Sequence, residues 1–109
     1  MSYIDDQAEV AYAISSSNGF WDEKVDVHFL LAKLALLHSE VSETLEAIRK
    51  EQGEEAILEE MADIYISLID LYAGARNHGW LSCDASLGET IEKKMAINAN
   101  RPRKHGNLA

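Results

Sequence analysis

An apolar stripe of helical period is the feature that most constrains this chain. Leu30, Leu34, Leu37, Val41 and Ile48 follow one another at steps of four, three, four and seven residues. That spacing lines one face of a helix with 3.6 residues per turn. A strand would instead alternate at every second residue, and no alternating run bounded by turns occurs. One proline, Pro102, and six glycines are all that interrupt the 109 residues. The expected fold class is all-α.

The same reasoning divides the chain into four helices within a single domain, residues 1–109. A first helix over about residues 5–17 carries Ala8, Ala11 and Ile14 on one side. "SSNGFWD" (16–22) then reads as a loop, because serine, asparagine and glycine favour turns. A long second helix starts near Val27 and ends at Gly53, a residue that tolerates a left-handed backbone. A third opens on Glu54 and Glu55, acids suited to the positive end of a helix. It carries Ile57, Met61, Ile64, Leu68, Leu71 and Tyr72, and stops near "NHG" (77–79). Ser86-x-x-Glu89 is a capping box for a fourth helix, which must end before Pro102. Four helices with short connections predict a four-helix bundle, whose inner faces are a common place for metal and ligand sites. The apolar faces are wide for one chain to cover, so self-association is expected.

Composition removes several classes of function. The longest apolar stretches are broken by Lys33 and Asp70, so nothing is long and uncharged enough to span a bilayer. The first twenty residues lack a basic start followed by an apolar run, and no secretory signal is read there. Cys83 is alone, which excludes an internal disulfide and a cysteine zinc site and fits a reducing cytoplasm. A net charge of −9 argues against binding a nucleic-acid polymer. It leaves phosphorylated small molecules open, since divalent metals reverse the local field.

The acids themselves are unevenly partnered. Glu46 has Arg49 and Lys50 three and four residues on, at the reach of helical ion pairs. Glu40 and Glu43 have no basic residue at that reach, and neither do Glu60 and Asp63. The sequence thus contains Glu40-x-x-Glu43, sixteen intervening residues, and Glu60-x-x-Asp63. Residues three apart on a helix have Cβ atoms ~5–6 Å from each other, so each pair can point at one place. An antiparallel turn at Gly53 brings the two pairs to similar heights. A solvated face explains most isolated pairs of this kind. Two pairs facing each other without cations would repel strongly unless a metal compensated them. Oxygen-only ligation suits Mg²⁺, or Mn²⁺, rather than zinc. No glutamate is followed three residues later by histidine, which excludes the Glu-x-x-His di-iron arrangement. Glu59 adjoins the motif but points about 100° away from Glu60 and is expected to be solvated.

These residues, inside "LLHSEVSETLEAIRK" and "EEMADIYISLIDLYAG", resemble the MazG-like all-α nucleoside triphosphate pyrophosphohydrolases. "KMAINANRPRKHG" (94–106) resembles the segment after the last helix motif in small members of that superfamily, and "NGFWD" (18–22) resembles their N-terminal loop. The resemblance runs from about residue 14 to 106. It implies hydrolysis of a nucleoside triphosphate, preferentially the deoxy form, between the α and β phosphates. It also implies Mg²⁺ dependence, a homodimer or homotetramer, and a role in nucleotide-pool house-cleaning. Carried over by position, Glu40, Glu43, Glu60 and Asp63 would be the metal ligands. One carboxylate can instead take the proton of the attacking water, and Glu43 is the residue chosen for that role.

Lys94 and Asn98 share a face of the fourth helix and Arg101 follows at its end, a set of donors fit for phosphate and sugar oxygens. The structural alternative is that they complement the negative end of that helix. Arg103, Lys104 and His105 are weaker candidates beside them. Trp21, ahead of Phe20, is the candidate for stacking on a nucleobase; otherwise these rings anchor the loop. His38 stands next to the acidic motif, while His28 and His78 are read as structural and Tyr65 and Tyr72 as core or interface. The rival reading from another class is a non-catalytic helical interaction or regulatory module with a structural metal site.

Overall fold

The computed structural model describes residues 2–102. Among them are four helices and no strand: α1 Tyr3–Ser17, α2 Val27–Arg49, α3 Glu54–Asn77 and α4 Leu87–Ala99. The fold is all-α, as the periodicity requires.

Local chemistry sets the ends. α1 begins two residues earlier than its apolar pattern suggests, because Ser2 and Asp5 form a capping box that satisfies two otherwise orphaned backbone groups. Asp26 caps α2, its Oδ1 accepting from the Phe29 N–H at 2.9 Å. The turn between α2 and α3 differs from the expectation in one detail. The left-handed residue that follows α2 is Glu51 (φ 50°), while Gly53 (φ 98°) lies at the N-cap of α3. Ser86 caps α4 by accepting from the Glu89 N–H at 3.1 Å.

α2 and α3 form an antiparallel hairpin, α1 also packs against α3, and α4 rests on α1. The buried core is small and lies between α1 and α3: Ala8, Ile69, Tyr72 and Ala73, with Ile4, Ala11, Tyr12, Tyr65 and Leu87 packed against it. α4 is anchored only at its start. Gly88 is buried, yet every residue from Glu92 to Asn100 is exposed. The fourth helix therefore projects rather than closing a bundle in the single chain.

The stripe that predicted α2 remains largely uncovered. Leu34, Val41 and Ile48 are exposed, as are Met61 and Leu68 of α3. The radius of gyration is 16.2 Å, against ~13 Å for a closed globule of this length. Among the described residues no helix is long and apolar enough to cross a membrane.

Candidate metal centre

Glu40 on α2 meets Glu60 and Asp63 on α3, with one carboxylate oxygen from each lying within 4.8 Å of the others. Octahedral Mg²⁺ spans ~4.2 Å between opposite ligands, so small side-chain rotations close this group onto one ion. Glu43 is not one of the three, but it stands near enough to raise the carboxyls of both Glu40 and Glu60. The hairpin register inferred from the distances to Gly53 thus brings the two acidic pairs together. Glu59 is exposed and outside the group, as its rotation around the helix requires.

The group is uncompensated by the protein. Among the described residues the ion pairs are Arg49–Glu46, Lys50–Glu46 and Arg76–Glu9; none involves these four acids. Glu40 Oε2 and Glu60 Oε2 are buried without a hydrogen-bond partner, where a lone polar atom is normally costly. Loss of water pushes the Glu40 carboxyl above its ordinary range, and Glu43, Asp63 and Glu60 push it further. Glu60 is raised for the same first reason, then by Glu43 and Asp63. Two half-buried carboxyls, each with one oxygen out of reach of water and beside like charges, favour either a proton or a cation.

Next to Glu40 an open cavity of about 380 Å³ runs between α1, the 18–22 loop, α2 and α3. Its walls include Asn18, Phe20, Lys33, Ser67 and Asp70. Lys33 and the 18–22 loop place a cation and an aromatic ring in the cavity that Glu40 also lines, and neither Lys33 nor Asp70 stands out in the sequence. Their only sequence signal is that they break apolar runs.

The aromatic assignment is corrected. Trp21 is only 4% exposed. Its Nε1–H donates to Asp70 Oδ1 at 3.0 Å, its ring stacks on His78 at 5.4 Å, and it meets Tyr12 and Phe29 edge-on or tilted. A Cβ on Gly74 would stand 2.0 Å from it, so that helical glycine makes room for the ring. Trp21 is the loop's anchor, with no open face for a base. Phe20 is 62% exposed at the cavity wall and is the ring available for stacking.

Lys94, Asn98 and Arg101 are not brought to the acids within one chain. All three are exposed, and no residue of α4 lines the cavity beside Glu40. The reason is the pinning of α4 at its start, where Ser86 Oγ and the Leu87 N–H donate to Asp5 at 2.5 and 3.0 Å. His38 is exposed. His28 lines a different cavity, and His78 Nε2 lies 3.0 Å from the Tyr12 hydroxyl. Tyr65 and Tyr72 donate to Gln7 Oε1 and Asp5 Oδ1 at 2.7 and 2.6 Å, both structural. Arg103, Lys104 and His105 lie outside the described residues.

Compared with protein-family models, curated proteins and solved structures, the chain matches none of them. The residues of the site carry the functional argument by themselves.

Proposed function

We propose that this chain is a Mg²⁺-dependent nucleoside triphosphate pyrophosphohydrolase of the MazG-like type. It cleaves (d)NTP between the α and β phosphates to (d)NMP and pyrophosphate. The observation that carries the reading is that Glu40 and Glu60, each with a buried and partnerless Oε2, converge with Asp63. A purely structural core has no use for two orphaned acids side by side, whereas an oxygen-only donor set of this kind fits a hard divalent cation.

Glu40, Glu60 and Asp63 would hold the metal, with Glu43 beside them. When bound, Mg²⁺ supplies charge neutralisation and Lewis acidity at the phosphoryl group. Glu43 accepts the proton of the attacking water, so that the new P–O bond forms as the α–β anhydride bond breaks and pyrophosphate departs. Phe20 offers the exposed ring against which a base can stack. The exposed apolar faces of α2 and α3 support a homo-oligomer, and the projecting α4 supports delivery of Lys94, Asn98 and Arg101 to the site of a neighbouring copy.

The test is a product assay on common and modified (d)NTPs, with Mg²⁺ or chelator, alongside Glu43→Gln. Monophosphate and pyrophosphate that require metal and vanish in the variant establish the reaction. Absence of turnover by folded protein with every nucleotide favours the non-catalytic helical module instead.

A further inference from the structure

Lys33 occupies an unusual position for a lysine. It stands on α2 seven residues before Glu40, a rise of ~10.5 Å along the helix and a rotation of only about 20° around it. The two side chains therefore share one face of α2, and both line the same cavity. Lys33 also lines the neighbouring open cavity of about 580 Å³, together with Phe20 and Leu36, so it forms part of the wall between them.

Its ammonium is held by rings. Nζ lies 4.7 Å from the Trp21 centroid, 5.3 Å from Phe29 and 5.5 Å from Phe20, all within the ~6 Å reach of cation–π attraction. The nearest ring of the three is fixed, because Trp21 is tied to Asp70 and seated against Gly74. Ring faces attract the charge but accept no ordinary hydrogen bond, and an ammonium has three donors to place. Among the described residues no carboxylate lies within ion-pair distance of Lys33. Asp70, on the same cavity wall, is engaged by Trp21 instead. The result is a half-buried, pre-positioned cation with free donors.

The cavity thus has two ends of different chemistry: Glu40, through which it adjoins the acidic group, and an ammonium about two helical turns away. A ligand gripped at both ends must be anionic along its length. We propose that Lys33 is a substrate-binding residue that holds the phosphates farthest from the metal group, those that leave as pyrophosphate. This rests on the reading of the acids given above. Lys33 then makes the site selective for a polyphosphate chain over a monophosphate, which is too short to reach both ends.

The test compares wild type with Lys33→Met and Lys33→Arg. Inorganic pyrophosphate with Mg²⁺ is titrated calorimetrically, KM and kcat are measured for the best (d)NTP, and the Mg²⁺-induced thermal shift is recorded. Lys33→Met should weaken pyrophosphate binding and raise KM by roughly tenfold or more, as expected for loss of a hydrogen bond to a charged group. Lys33→Arg should recover most of both, and the Mg²⁺ shift should be the same in all three. Pyrophosphate affinity and KM unchanged in folded Lys33→Met would overturn the assignment while leaving the hydrolase reading intact. Wild type that releases pyrophosphate from no nucleotide would sink the hydrolase reading separately. If Lys33→Met does not fold, amine acylation of wild type decides: Mg²⁺–pyrophosphate should shield Lys33 and spare Lys24 and Lys93, and equal labelling of Lys33 with and without it overturns the proposal.

Discussion

Asp5 and the Glu40–Glu60 pair are acids with buried oxygens, and the chain treats them in opposite ways. Asp5 is fully buried and surrounded by donors: the hydroxyls of Ser2, Ser86 and Tyr72 and the N–H groups of Ser2 and Leu87. Burial alone would raise its carboxyl, but the hydrogen bonds from Ser2, Ser86 and Tyr72 outweigh it and hold the group well below the usual range. Glu40 and Glu60 each keep an oxygen with no partner and are pushed up. A satisfied carboxylate is a structural joint, here tying the start of α1 to the start of α4. The Glu40–Glu60 pair has no such donors, and under the function proposed above a divalent cation would take their place.

The sharpest break of this contrast is in activity. Glu43→Gln should lower pyrophosphate release on the order of 10²-fold or more, the scale of a lost general base, with a metal-free thermal midpoint no lower than that of wild type. Asp5→Ala should behave in the reverse manner. It strands several buried donors, and a destabilisation of about 3 kcal/mol is expected in chemical denaturation. Ser86→Ala, which removes one donor and the α4 cap, should cost about 1 kcal/mol. An Asp5→Ala protein as stable as wild type would remove the joint from the argument.

Metal should separate the two acid centres next. Mg²⁺ at a hundredfold excess over its Kd should stabilise the protein by ~2.7 kcal/mol, read as a rise in thermal midpoint. Glu60→Gln should abolish that rise and, without metal, be more stable than wild type because like charges have been thinned. Asp5→Ala should keep the metal response on its lower baseline. A Mg²⁺ shift that survives Glu60→Gln would place the ion elsewhere.

The contrast also explains what the sequence revealed. The helices were legible because apolar spacing and breakers act locally, and the acidic group was legible because a hairpin with a known turn converts spacing into height. Asp5 was missed because its donors Ser86 and Leu87 lie more than eighty residues away in the chain, and no local pattern encodes that meeting. Trp21 was misjudged for the same reason: Asp70, Gly74 and His78, which bury it, belong to another helix and its end. The uncovered α2 stripe is the reverse case. Its period correctly marks a helix, but three of its five residues, Leu34, Val41 and Ile48, stay exposed, which spacing alone does not reveal.

The smallest effect is in the pH dependence of metal-free stability, where the two centres pull in opposite directions. A carboxyl raised by folding favours the native state when protonated. Glu40 and Glu60 therefore contribute fully below their ordinary value of 4.5, and that contribution is lost as pH rises through their elevated native values. Asp5, depressed by folding, contributes above its ordinary 3.8 and loses that contribution as pH falls below it. Without metal, stability should rise as pH is lowered from neutrality toward 5 and then drop under 4. Glu40→Gln/Glu60→Gln should flatten the first limb, and Asp5→Asn should remove the second. With Mg²⁺ the first limb should invert, since protons then compete with the ion for the same oxygens. A metal-free profile unaltered by the double substitution would mean that the orphaned oxygens are as well satisfied in solution as those of Asp5.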